Sequence, residues 1–450
     1  MILRDPVHGL ITFESDEEKI ITRLLATSEV QRLRRIRQLG LSSLVFHGAE
    51  HTRFAHAIGT AHVMKLFLAR LRQLDADLPF WQRVTSDRAR DALAAALLHD
   101  VGHGPFSHLF EDAMPGAIHH EGWTESILLD PSSEVHRVLI SADPYLPKRV
   151  AELVRGEHEL PYLAKVVSGT FDVDRCDYLL RDAHATGARY GEYDLAWLLR
   201  SLRLSDSPAD EAQAPIAKST KNASSACPTL ALDGTKGLSA IESFLLARHF
   251  MFQQVYFHKA ARAAEWMVGA ILRRAIELVQ NGMPLPALPA AFASAASGEA
   301  PSLGEYLELD DQVLLLAMHA WENSKDALLS DLCKRVRARA LFKAIELFPD
   351  QNGASDDEST HKSHAAALET AREIARQAGL DPHVYVGLDI AEDAPYADDD
   401  SLKVVFPKGR ARSPAEVSFL LARLRGQSVT RARIIFAPEL RSAMREALIH

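Results

Sequence analysis

The run Leu97-Leu98-His99-Asp100-Val101-Gly102-His103-Gly104-Pro105-Phe106-Ser107-His108 places an adjacent histidine and aspartate at the end of an Ala- and Leu-rich stretch. Burying an imidazole beside a carboxylate is costly unless both find hydrogen bonds or a cation. Holding a divalent metal is the simplest task for such a pair. Two other segments offer further donors: Thr52-Arg53-Phe54-Ala55-His56-Ala57-Ile58-Gly59 and Asp172-Val173-Asp174-Arg175-Cys176-Asp177-Tyr178. A mixed imidazole and carboxylate set suits Mn, Fe, Co, Ni, Zn or Mg better than a thiolate-type structural site does. With four protein ligands, an octahedral ion keeps open positions for water and a phosphate oxygen, which is a catalytic arrangement. The chain has 20 histidines, so His47, His51 and His62 are read as bystanders or supporting groups.

Around this centre lie groups suited to proton transfer. His103 follows His99 by four residues, so a continuing helical turn would put both on one face. His108, Glu111 and His119-His120-Glu121 come after the Gly104-Pro105 break. Asp174, Asp177, Tyr178, Arg181 and Asp182 form a stripe at spacings of three and four, with Leu179, Leu180 and Ala183 on the buried side. For Asp177 and Arg181 a solvated helix face is the competing reading. Arg32, Arg34, Arg35 and Arg37 could steer a polyphosphate or bind an activator; an exposed charged helix is the alternative.

The elements that must position these residues are mostly helical. Apolar residues three or four apart predict helices near 28–39, 53–73, 87–100, 147–165 and 173–185. Leu202 to Leu204 and Thr229 to Asp233 read as paired strands, with a polar insertion between them. One long helix is expected from about Ser239 to Gln280, and helices again from about 303 to 348. Asp350 to His364 reads as a loop. Strands near 383–388, 402–406 and 433–436 with a helix at 413–424 predict a small α+β C-terminal module. The fold class is therefore mostly α, with a small β-hairpin and that module. At 450 residues, with 47% hydrophobic and 25% charged residues, the chain has ample material for a large core. A net charge of -9 argues against indiscriminate coating of nucleic acid. Three scattered cysteines form neither a metal spacing nor a disulfide framework, and no apolar run approaches the roughly 20 residues needed to span a bilayer. A cytoplasmic protein is expected.

The order His56, His99-Asp100, Asp174 resembles the H…HD…D signature of the HD-domain metal-dependent phosphohydrolases. The flanking text narrows the likeness. Asp5-Pro6-Val7-His8-Gly9, Gln31-Arg32-Leu33-Arg34, Gln38-Leu39-Gly40, Arg53-Phe54-Ala55-His56 and the His99–His108 run are similar to the deoxynucleoside triphosphate triphosphohydrolases, in the branch of a mammalian SAM-and-HD-domain enzyme and its bacterial relatives. That resemblance spans roughly residues 1–345 and is strongest up to about 195. It implies an HD-domain helical core and a metal held by His56, His99, Asp100 and Asp174, with a second cation such as Mg. It assigns His103, Glu111 and His120 to the catalytic histidine–acid–histidine group and His108 to the scissile phosphate; Glu111 stands where family members carry Asp. Substrate contacts are implied for Gln38, Leu39, Arg53, Arg175, Tyr178, Asp182, Arg248 and Tyr256, with Arg175 replacing the usual lysine. Tyr256 would close against the sugar 2' carbon and reject ribonucleotides.

The expected domains are an HD core at 1–204, a flexible hairpin insertion at 205–228, a helical continuation at 229–349 and the C-terminal module at 365–450. The expected reaction is hydrolysis of dNTPs to deoxynucleoside and tripolyphosphate. Competing readings are an HD phosphodiesterase or phosphatase on other nucleotides or oligonucleotides, and a nucleotide-responsive nucleic-acid-binding regulator with vestigial hydrolysis. The resemblance also implies a homo-oligomer and a nucleotide activator contacting Arg34. Ala26 stands where an acidic residue would read guanine, so GTP is not expected to be the specific activator.

Overall fold

The computed structural model describes residues 1–106, 109, 111, 118–205, 227–348, 357–394, 396, 402–408 and 410–449. It opens with an antiparallel hairpin that the sequence reading did not anticipate, β1 (Ile2–Asp5) and β2 (Gly9–Thr12), with Asp5 paired to Gly9. Asp5 Oδ1 accepts the backbone N–H groups of Val7 and His8, each at 2.9 Å. An Asp side chain that binds its own backbone two residues on is a turn-forming device.

Three helices frame the core. α1 (Arg53–Leu74) packs against α2 (Ser86–Leu98), and later against α6. Ala92 to Leu98 are all buried, so α2 is enclosed on every side and its end delivers His99-Asp100 into the interior. Next come α3 (His120–Leu129), α4 (Leu146–Val154), α5 (Pro161–Val167) and α6 (Val173–Thr186). The helix expected over 147–165 is two helices, because the Arg155-Gly156 turn stops α4 and Pro161 starts α5. Asp172 caps α6 by accepting the Arg175 N–H at 2.8 Å, and Thr52 caps α1 by accepting from Ala55. Such caps fix where the first turns begin, and those turns carry Asp174 and His56.

β3 (Leu202–Ser205) and β4 (Thr229–Asp233) pair antiparallel as expected. The expected insertion tip, at 206–226, lies outside the described residues. The single helix expected from 239 to 280 is instead α7 (Leu238–Met251), a π-helical turn over Phe252–Tyr256, and α8 (Lys259–Gln280). A π turn displaces side chains relative to an ideal helix, and here it brings Tyr256 onto Asp182 of α6. The helical reading also overran β5 (Lys343–Leu347), a strand because Ile345 pairs with Ile434; cross-strand pairing outweighs the helix preference of Lys, Ala, Glu and Leu.

In the C-terminal segment β6 (Val386–Asp393), β7 (Lys403–Val405) and β8 (Val429–Phe436) follow helix α9 (Asp357–Gln377), so part of the polar stretch expected as loop is helical. β5, β8 and β6 form one antiparallel sheet in that order, and Ala371 and Ala375 of α9 pack on it beside Ile434 and Phe436. β7 leaves that sheet and pairs parallel with β4, Ala231 opposite Lys403.

Candidate active site

The first turn of α1, the end of α2 and the first turn of α6 converge on one point. His56 Nε2 lies 3.0 Å from Asp174 Oδ1 and 3.3 Å from His99 Nε2. His99 Nε2 lies 3.5 Å from the same Asp174 oxygen. One donor atom from each of His56, His99 and Asp174 falls within 4.8 Å of the others. The chemistry of this donor set fits a divalent cation. His56 Nδ1 faces Asp177 Oδ2 at 2.8 Å and His99 Nδ1 faces the Ala96 carbonyl at 2.9 Å. Both acceptors require a proton on Nδ1, so both Nε2 lone pairs point at the shared centre. Asp100 Oδ1 lies 3.4 Å from His99 Nε2, while its other oxygen accepts from Arg53.

The electrostatics suit a positive charge. Burial alone would lower the His56 pKa, but the carboxylates of Asp174 and Asp177 outweigh it and raise it to about 10. Groups that favour a proton there also favour a cation. Asp100 is held well below the usual carboxylate range against the opposing effect of burial, chiefly by His103, His99 and Arg53.

Beside the cluster, Glu111 receives His120 Nδ1 at 3.1 Å and His119 Nδ1 at 3.2 Å. His120 packs on His103 with ring centroids 3.9 Å apart, whereas the His119 side chain is 82% exposed. The longer Glu side chain thus reaches both histidines, and His120 is the one in the interior. His103 Nδ1 lies 3.4 Å from Asp100 Oδ1, joining this group to the cluster. His108 lies outside the described residues. A cavity of about 960 Å³ opens from these residues and is lined by His99, Asp100, His120, Lys165, Asp174 and Arg175, a volume that suits a nucleotide.

The remaining sequence-nominated residues divide. Two turns further along α6, Asp182 accepts from Tyr256 Oη at 2.7 Å and meets His51 Nε2 at 2.7 Å. The Tyr178 and Tyr256 rings sit edge to face, with centroids 6.3 Å apart. Gln38 is tied through its N–H to the His51 carbonyl at 3.0 Å, and its Oε1 is buried with no hydrogen-bond partner among the described residues. Leu39 packs at the edge of the main core. Arg175 pairs with Asp172 at 2.5 Å. Arg248 is turned to the C-terminal segment, donating to Asp393 at 2.7 Å and to the Ala394 carbonyl at 2.9 Å.

Two sequence expectations change. Asp177 and Arg181 are not a solvated face: they are 0% and 2% exposed and paired with each other. The signal was present in their i, i+4 spacing and in Gly59, three residues after His56, which leaves room for the carboxylate. The arginine run is not a free basic face either. Arg32 is buried and donates to the carbonyls of Leu309 and His103, Arg35 pairs with Asp310, Arg37 with Glu50, and Arg34 lies over the Phe54 ring. His8, which reaches Asp177 from the N-terminal hairpin, was missed; only its place in the Asp5–Gly9 motif pointed to it.

Residues 53–182 match the model of the HD domain, and residues 226–285 and 287–447 that of the HD associated region. An uncharacterized Bacillus subtilis protein, YwfO, is 36% identical over 88% of this chain and 80% of its own length. The Dictyostelium discoideum homolog of the deoxynucleoside triphosphate triphosphohydrolase SAMHD1 is 26% identical over 77% of this chain, which spans 60% of that relative. A crystal structure of a phosphohydrolase from Bacteroides thetaiotaomicron superimposes with a TM-score of 0.76 at 27% identity, covering 97% of this chain and 99% of the other.

Proposed function

The chain belongs to the HD-domain phosphohydrolases that carry the HD associated region, and from that premise we propose that its substrates are deoxynucleoside triphosphates, cleaved to deoxynucleoside and tripolyphosphate. The observation that carries the substrate choice is the closed contact of Tyr256 Oη on Asp182 beside Tyr178. A sugar held by Asp182 would press its 2' carbon against Tyr256, where a hydroxyl does not fit. A pocket that excludes a group by contact in this way discriminates by steric clash and lost pairing.

His56, His99 and Asp174, with Asp100, would hold the divalent metal, which when bound neutralises phosphate charge and makes water more acidic. Arg53 and Arg175, both near that cluster, would bind phosphate oxygens. His120, fixed by Glu111 and packed on His103, would deliver a proton to the departing 5' oxygen, and Glu111 holds its ring orientation. His108 would sit at the scissile phosphate. Gln38 and Leu39 would bound the nucleoside, and Arg248 would reach the distal phosphates after releasing Asp393. We extend the same reading to a cytoplasmic homo-oligomer with a nucleotide activator.

The test is chromatography of products from each dNTP and each NTP, with Mn or Mg and the purified chain. Deoxynucleoside plus tripolyphosphate from dNTPs, with NTPs left intact, is the expected result. Monophosphate plus pyrophosphate, or turnover only of oligonucleotides or cyclic nucleotides, would overturn the substrate assignment while leaving the phosphohydrolase.

A further inference from the structure

Asp177 is buried completely, and its two oxygens meet four donors. His8 Nε2 at 2.6 Å and Arg181 Nη2 at 2.9 Å bind Oδ1; His56 Nδ1 and Arg181 Nε, both at 2.8 Å, bind Oδ2. Arg181 Nη1 continues to Asp5 Oδ2 at 2.8 Å. The other Asp5 oxygen holds the turn that carries His8. The N-terminal hairpin therefore closes a loop of contacts onto the carboxylate behind His56.

The carboxylate lies directly on the backbone of α1. A Cβ at Gly59 would stand 1.8 Å from Asp177 Oδ1 and 2.5 Å from its Cγ, so any other residue at 59 would displace it. Gly59 sits three residues after His56, almost one turn on. The helix thus presents the imidazole and the gap for its carboxylate partner on one face.

We propose that Asp177 is a positioning residue for the metal centre, and that His8 of the N-terminal hairpin acts through it to fix the His56 ring. The inference rests on His56 being a metal ligand. A carboxylate on Nδ1 sets the tautomer, limits rotation of the ring and makes Nε2 a better donor. His8 and Arg181 in turn stop the carboxylate from rotating away. An ion pair serving stability alone would hold Asp177 with Arg181 and would not require its second contact to be the ligand ring.

The test is Mn²⁺ binding to the metal-stripped full chain, followed by the electron paramagnetic resonance signal of free Mn²⁺, with thermal melting measured in parallel. Removing an outer partner of a metal-bound histidine typically weakens metal binding about 10- to 100-fold, and Asp177→Asn is expected to fall in that range. His8→Ala, one contact further out, is expected to weaken it by a few-fold, with His8→Gln recovering part of the loss. Ile345→Ala, in the distant sheet, should lower the melting temperature and leave Mn²⁺ affinity unchanged. If Asp177→Asn fails to fold, the two His8 variants decide the matter. Wild-type Mn²⁺ affinity in His8→Ala and in any folded Asp177→Asn would overturn this inference alone. A wild-type chain that binds no Mn²⁺ would overturn the metal reading beneath it as well.

Discussion

Replacing Gly102 with alanine tests whether the packing of α3 sets the catalytic geometry. The Gly102 N–H donates to Thr124 Oγ1 at 3.1 Å, and its carbonyl accepts from Tyr306 Oη at 2.7 Å. A Cβ there would lie 2.2 Å from Thr124 N and 2.3 Å from the His120 carbonyl oxygen. Both are backbone atoms of α3, so no change of rotamer relieves the contact. Restoring an ordinary separation of roughly 3.4 Å requires α3 to retreat by about 1.2 Å, and overpacking of this kind costs about 1–3 kcal/mol. Losing the bond to Thr124 adds about 1 kcal/mol. Gly102 is not in the left-handed region, so alanine regains about 0.4–1 kcal/mol from the unfolded state, and the clash wins. The retreat carries His120 away from His103, and a misplacement of about 1 Å can cost roughly 100-fold in rate. The assay is dNTP turnover, Mn²⁺ affinity and thermal melting on one preparation. Turnover should fall about 100-fold with a lower melting temperature, while Mn²⁺ affinity stays within a few-fold because none of the residues proposed to hold the metal lies on α3. Turnover and melting both at wild-type values would refute the reasoning.

Chelation followed by gel filtration should abolish turnover and lower the melting temperature, and Mn²⁺ at about 100 times its dissociation constant should return about 2.7 kcal/mol of stability; turnover that survives chelation would count against a metal centre. His62 is held down to about 4 from its ordinary value of 6.5, first by burial and then by His8 and Lys65. The unfolded chain takes up that proton below pH 6.5 while the folded chain refuses it until about pH 4, so this group makes stability fall with falling pH across that window and then level off. His62→Asn should flatten that part of the urea-unfolding profile, and an unchanged slope would exclude His62 as its source. Asp393→Asn should loosen the hold on Arg248 in favour of phosphate, and an exchange worth ~1 kcal/mol would lower KM for a dNTP roughly fivefold at constant kcat; a raised KM would mean that Asp393 aims Arg248 rather than competing for it.

The helices bearing His56, His99 and Asp174 were legible because their apolar residues recur three or four apart. The metal donors could be nominated from residue type and order, and the structure brings three of them to one point. What stayed hidden depended on contacts between distant segments. Nothing near His8 announces that its ring ends on Asp177, 169 residues away. For Asp177 and Arg181 a solvated face could compete with a site role because hydrophilic type alone does not reveal the space left by Gly59. β5 was misread because its strand character comes from β8. The break between α7 and α8 arises from a π turn, for which Phe252-Gln253-Gln254-Val255-Tyr256 gives no local signal.

The parallel pairing of β7 with β4 bears on how the chain can be divided. Ala231 and Lys403 meet across more than 170 intervening residues, against 23 between Ser205 and Thr229 of the hairpin. Loop closure grows only with the logarithm of length, so the distant pairing costs about 2 kcal/mol more than the hairpin. That difference orders the events of folding more than it limits stability: the hairpin forms from neighbours, and β7 joins after the C-terminal segment has been made. A chain cut before β7 would leave β4 as a sheet margin with unpaired N–H and C=O groups, the form in which strands recruit other chains. The short strand at 403–405 is thus a topological clasp that ties the far end of the chain to the margin of β4.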